Sequence, residues 1–137
     1  MIFKTYTYEE FNQDTEKLAR IIRQITETKG KTFTKIYGIP RGGLMVAVRL
    51  SHLLGLPLAV REEEIDENTI VAEDIISTGA TRKRLEERIN FRHFLTAALF
   101  LVPPTEGLWD VVYVHSLEDN YAVWVWFPWE TEESTRH

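Results

Sequence analysis

The chain has 137 residues, of which 44% are hydrophobic, with a formal net charge of -5 and no cysteine. That length buries one core, so a single domain is expected over residues 1–137; disulfides, thiolate metal sites and cysteine nucleophiles are excluded. The acidic balance argues against a general nucleic-acid surface and leaves room for a local basic site that takes a small phosphorylated ligand.

The opening segment "MIFKTYTYEEFNQD" is polar and acidic where a secretory leader would be basic and then apolar. No run reaches the roughly 18 apolar residues of a membrane span. A soluble cytoplasmic protein with no membrane partner is expected. Phe11, Leu18, Ile22 and Ile25 recur at helical spacing through "YEEFNQDTEKLARIIRQITE", and Lys29 and Gly30 supply a stop. "FTKIYGI" reads as a buried strand, "RGGLMVAVRLSHLLG" as a mostly buried helix closed by Gly55, and "LPLAV" as a further short strand. "REEEIDEN" is a charged turn, "TIVAEDI" a strand with the β-branched content of a central position, and "ATRKRLEERI" a helix. "HFLTAALFLV" is the next strand, stopped by "PPTEG", and "WDVVYV" and "YAVWVWF" give a β-rich end. Strands alternating with helices over residues 32–102 imply right-handed βαβ units, an α/β fold with a mostly parallel sheet flanked by helices. His52, His93, His115 and His137 share no ligand spacing, so no protein-built metal site is expected.

In such sheets ligands sit where the carboxyl ends of strands lead into helices, and two loops qualify. In "GIPRGG", Gly38, Gly42 and Gly43 let backbone amides approach a ligand and Arg41 supplies a positive fork, a combination suited to pyrophosphate. The same residues also serve a plain strand-to-helix turn with Arg41 solvated. In the second loop, Ser77, Thr78, Gly79, Ala80 and Thr81 can wrap amides and hydroxyls around a phosphate at a helix N-terminus. Just before it, Glu73 and Asp74 can accept hydrogen bonds from vicinal hydroxyls. Acids followed by a phosphate cup describe a ribose 5-phosphate held from both sides, and Arg82, Lys83 and Arg84 add positive charge. The alternative is a helix capped by Ser77 or Thr78 with its basic residues solvated.

"VAEDIISTGAT" resembles the phosphoribosyl-diphosphate (PRPP) signature of the type I phosphoribosyltransferases, and "GIPRGGLMVAVRLSHLLGLPL" resembles their pyrophosphate loop and following helix. "VWVWFPWE" resembles the nucleobase-side segment of the short xanthine-guanine and hypoxanthine members. The resemblance implies transfer of the 5-phosphoribosyl group from PRPP to a nucleobase, a purine in those members, with release of pyrophosphate. It implies that Glu73, Asp74 and Arg41 carry catalysis, and that Arg41, Gly42, Gly43 and Ser77 to Thr81 hold the phosphates. Magnesium would be bound mainly by the substrate and reached by Glu73 and Asp74. Trp124, Val125 and Ile75 would form the base side, with Trp124 stacking through its π-face. Alternation places Trp124 and Trp126 on one strand face and Val123, Val125 and Phe127 on the other, a pattern that equally suits packing or a subunit contact. A nucleoside monophosphate is the other expected small-molecule partner, and apolar helix faces suggest a homo-oligomer.

Three positions depart from the family pattern. Ser77 stands where the 6-oxopurine enzymes usually carry an Asp, and a hydroxyl cannot serve as a base at neutral pH. Val102 stands where a Lys usually donates to the exocyclic oxygen of the base. "REEEIDEN" replaces a longer mobile loop, and its acids would repel the phosphates that a lid must approach, so a reduced lid is expected. A regulatory or non-catalytic nucleotide-binding module of the same fold is the rival expectation.

Overall fold

The structure, a computed structural model, describes residues 2–103, 110–117 and 123–131. Helix α1, Tyr8–Lys29, begins at a reciprocal cap: Thr7 Oγ1 accepts the Glu10 N–H and the Glu10 carboxylate accepts the Thr7 N–H. It ends at Gly30, whose φ of 68° lets its N–H turn back to the Thr26 carbonyl. The inward stripe of α1 is Phe11, Thr15, Leu18, Ala19 and Ile22, to which the structure adds the buried Asp14.

Four strands form one parallel sheet in the order β2-β3-β4-β5: β2 Lys35–Gly38, β3 Thr69–Ile76, β4 Leu95–Leu101 and β5 Val111–Ser116. Helix α2, Gly42–Leu54, joins β2 to the segment before β3, and helix α3, Ala80–Ile89, joins β3 to β4. Neighbouring residues of β2 and β3 enter different cores. Ile36, Ile70 and Ala72 pack with α1 and α2, whereas Tyr37 and Val71 pack with Leu85 of α3 and Phe94. A sheet covered on both faces explains why β3 reads as a continuous apolar run.

The N-terminal segment also holds a strand that periodicity did not announce: β1, Ile2–Thr5, pairs in parallel with β6, Val123–Trp126, as a separate two-stranded ribbon. One contiguous apolar cluster runs from the main sheet through Tyr6, Leu117, Val125 and Phe127 to this ribbon. Of the expected C-terminal strands, Trp109, Tyr121 and Ala122 lie outside the described residues, as does most of "PPTEG".

The expected strand "LPLAV" is corrected to a single bridge between Leu58 and Ile36. The Ile36 N–H reaches the Pro57 carbonyl and the Ala59 N–H the Ile36 carbonyl. Pro57 has no N–H to extend the ladder, and Val60, 85% exposed, has no surface to cover. The acidic link forms a short 3-10 turn at Glu62–Glu64.

Candidate functional site

Because β2 and β3 are parallel, with Gly38 beside Ala72, their carboxyl ends open on the same edge and bring the two loops together. After β2 the chain turns through Pro40 and Arg41, joined by a cis peptide, into α2. The glycines here answer to close approach. A Cβ on Gly43 would overlap the Ala72 carbonyl oxygen, and one on Gly38 would lie 2.8 Å from the Ala47 Cβ and the Gly43 carbonyl oxygen. The first turn of α2 therefore rests directly on the backbone of β2 and β3. A Cβ on Gly42 would instead overlap the Asp74 carboxylate, so the first loop touches the acid that precedes the second.

Asp74 is half-buried and its Oδ1 accepts the Ile75 N–H at 2.8 Å, which orients the carboxylate at the strand end. Glu73 points the other way, as strand alternation requires, into the electrostatic reach of Arg82 of α3. It is 6% exposed, and burial, with a smaller contribution from the Asp74 charge, pushes its carboxyl up to about 7, against the opposing pull of Arg82. Glu73 and Asp74 are thus adjacent in sequence but leave β3 on different faces. Only Asp74 lies against the Gly42 loop.

Beyond β3, Ser77 and Thr78 are exposed and Gly79, at φ 80°, takes the N-cap position of α3 without a capping side chain. Neither Ser77 nor Thr78 is the cap; Thr78 Oγ1 accepts the Ala80 N–H at 3.2 Å. Among the described residues the Thr81 N–H has no acceptor, which leaves it at the positive end of α3. Arg41 is exposed at the start of α2, and its guanidinium makes no bond among the described residues. It stands at the same edge as the Gly79 bend.

Arg82 corrects the expectation of a basic cluster beside the phosphate loop. It is 1% exposed and turns beneath the helix, donating to Thr96 Oγ1 at 2.9 Å and to the carbonyls of Arg92 and Phe94 at 3.0 Å. It also pairs with Glu86 and lies over the Phe94 ring at 4.4 Å. This guanidinium fastens α3 to the start of β4. Lys83 and Arg84 remain exposed.

Of the residues expected on the base side, Ile75 is half-buried and pairs in the sheet with Phe100; nearby, Val102 closes β4 through its N–H to the Ile76 carbonyl at 2.8 Å. On β6 and just after it, Val125 and Phe127 are buried, while Trp124 is half-buried and Trp126 is 39% exposed on the opposite face. The Tyr6 N–H bonds to the Trp126 carbonyl, so by ladder alternation the Val125 backbone groups point away from β1. Phe100 and Ala72 shape this edge yet carried no chemical signal in the sequence, being ordinary strand residues.

The acidic link lies at the other end of the sheet. Lys35, at the start of β2, pairs with Asp66 at 2.8 Å, and Arg88, in the last turn of α3, forks onto Glu62 at 3.0 and 3.1 Å. Among the described residues no three His, Asp or Glu side chains gather as a metal site, so a cation near Asp74 would draw most of its oxygens from a ligand. No described helix is long and apolar enough to cross a membrane.

No family model matches the chain, and neither does any curated protein. Solved structures do. A purine phosphoribosyltransferase from Pyrococcus horikoshii Ot3 matches with a TM-score of 0.72 and 26% identity over 96% of both chains. The Helicobacter pylori xanthine-guanine-hypoxanthine phosphoribosyltransferase matches at 0.64 and 21%, over 96% of this chain and 95% of that one. A hypothetical protein from Neisseria gonorrhoeae with bound ppGpp matches at 0.73 and 17%, over 96% and 91%.

Proposed function

From the type I phosphoribosyltransferase fold that the chain shares with these structures, we propose that it transfers the 5-phosphoribosyl group of PRPP to a nitrogen of a nucleobase, releasing pyrophosphate. The observation that supports this reading is the meeting of Gly42 with Asp74, which brings the Gly-rich loop after β2 against the carboxylate that precedes the Ser-Thr-Gly bend.

In this reading the bend at Ser77 to Thr81 holds the 5-phosphate through the open Thr81 amide and the Ser77 and Thr78 hydroxyls, with the α3 dipole adding its field. Asp74 accepts from the ribose hydroxyls, and Glu73, buried and hard to ionise, lies behind it on the opposite face of β3. Arg41 and the Gly42 and Gly43 amides hold the pyrophosphate and stabilise the charge it gains as the glycosidic carbon loses it. The electron pair of the breaking C–O bond leaves with pyrophosphate while the base nitrogen supplies the new bond and gives up its proton to the departing pyrophosphate or to water; no covalent nucleophile on the protein is required. Magnesium fits the donor set as a substrate-borne ion beside Asp74, where it would neutralise phosphate charge. The Val125 backbone faces the base edge and Trp124 its plane. Half-exposed Leu44, Met45 and Val48 on α2 are read as a self-association surface.

A second reading, a nucleotide-binding module without turnover, is favoured by the tethering of the acidic link at the far end of the sheet, by Ser77 and by Val102. Purified protein given PRPP, magnesium and a panel of purines and pyrimidines should release pyrophosphate only when its base is present. Calorimetric binding of PRPP or a monophosphate without release supports the module instead, and Ser77→Asp then tests whether one position accounts for the silence. Neither binding nor release overturns both.

A further inference from the structure

A carboxylate on the inward face of a helix is costly unless its oxygens are bonded. Asp14 of α1 is 4% exposed, and its Oδ2 accepts two bonds at once: the Tyr6 hydroxyl donates at 2.6 Å and His115 Nε2 lies at 2.8 Å. Lys17, one turn on, stands 3.9 Å from Oδ1, and Glu10 is the other charge near Tyr6. Burial, with the Asp14 carboxylate close by, raises the Tyr6 phenol far above its ordinary value and keeps it a donor.

These residues come from three places. Tyr6 follows β1 and continues the ribbon ladder through its N–H to the Trp126 carbonyl; Asp14 belongs to α1; His115 lies on β5 of the main sheet. Rings close the circuit. His115 stacks on Phe100 at 5.2 Å, and Phe100 meets Tyr6 at 5.2 Å and Phe127 at 5.9 Å in T-shaped pairs. Phe100 is the sheet partner of Ile75, next to Asp74, so the circuit fastens the ribbon to the carboxyl end of the sheet, where the site opens. Trp124 stands three residues before Phe127, about 10 Å along the strand.

We propose that Tyr6, Asp14 and His115 are positioning residues: a polar clasp that fixes the β1–β6 ribbon, and with it Trp124 and Val125, and so sets affinity for the nucleobase half of a ligand without touching it. The proposal rests on the base-side reading above. Among the described residues no hydrogen bond, ion pair or ring contact joins these three to the bend at Ser77 to Thr81, so the phosphoribosyl half should be indifferent to them.

Tyr6→Phe keeps the ring packing and removes one bond; His115→Phe keeps the stack on Phe100 and removes the other; His115→Gln retains a donor. Hydrogen exchange of the amides of residues 3–6 and 124–126 should accelerate about tenfold in the two Phe variants, with β3 and α3 unchanged. Calorimetry should show GMP or IMP binding weakened about fivefold, PRPP with magnesium unaffected, and His115→Gln close to the parent. Unchanged ribbon exchange in both Phe variants, or equal weakening of PRPP and monophosphate, overturns the clasp. A parent protein that binds neither ligand defeats the base-side reading instead, and the exchange comparison then decides the clasp alone.

Discussion

Glu73 is a carboxyl that folding makes hard to ionise, and this has a measurable sign. Its environment raises it from an ordinary 4.5 to about 7, through burial first and the Asp74 charge second, with Arg82 pulling back. Below pH 4.5 it is protonated in both folded and unfolded chains and costs nothing. As pH rises toward 7 the unfolded chain ionises and the folded one resists, so the stability present at low pH is progressively lost, and the loss is complete above 7. The displacement corresponds to about 3 kcal/mol. Glu73→Gln removes the titration and replaces a buried carboxyl with a buried amide at a cost of about 1 kcal/mol. The variant should therefore be more stable than the parent by about 2 kcal/mol at pH 8 and less stable by about 1 kcal/mol near pH 4.5. Urea unfolding of both proteins from pH 4.5 to 8 measures the difference directly, since every other titrating group is common to the pair. A difference that stays flat across this range would mean that the folded protein ionises Glu73 at no cost, and the burial of its side chain would be wrong.

The glycines separate two roles. Gly43→Ala meets the immovable Ala72 carbonyl and should lower stability by about 3 kcal/mol, whereas Gly42→Ala meets only the Asp74 side chain and should leave stability within about 1 kcal/mol while weakening PRPP binding at least tenfold; urea unfolding and calorimetry on both variants check the contrast. Arg82→Met strands the Arg92 and Phe94 carbonyls and should cost about 3 kcal/mol, while Lys83→Met and Arg84→Met should each stay within about 0.5 kcal/mol by the same unfolding measurement. Arg41→Ala should weaken pyrophosphate binding by calorimetry without lowering the melting temperature, because its side chain supports nothing else among the described residues. Val48→Glu on α2 should shift the sedimentation coefficient to that of a monomer if the exposed Leu44, Met45 and Val48 face is where copies meet.

The central elements were legible because their signals are local. An apolar β-branched run, two acids and a bend of Ser, Thr and Gly describe a buried strand that ends in a helix N-terminus, and β3 and α3 form there. The α1 boundaries follow from Thr7, Glu10 and Gly30, which act within one turn of themselves. "LPLAV" misled because its apolar letters satisfy a strand pattern, whereas the outcome depended on a missing N–H at Pro57 and on whether anything lies beside Val60. β1 was hidden for the converse reason. Four residues carry too little pattern, and its partner β6 lies more than a hundred positions away.

What local reading misjudged most was charge. Arg82 in "ATRKRL" and Asp14 in "FNQDTEK" sit in runs that look like solvated helix faces, yet both are buried. Each is buried because distant backbone or side chains complete its hydrogen bonds: the Arg92 and Phe94 carbonyls for one, Tyr6 and His115 for the other. A buried ion is stable only with such partners, and partners at this separation leave no mark near the residue itself. The same reasoning explains why Glu73 and Asp74, identical in kind and adjacent, divide their labour. Strand alternation sends one toward Arg82 and the helix behind the sheet and the other toward Gly42 and the open edge, so the acid pair combines a buried carboxyl that resists ionisation with a half-buried one that can meet a ligand.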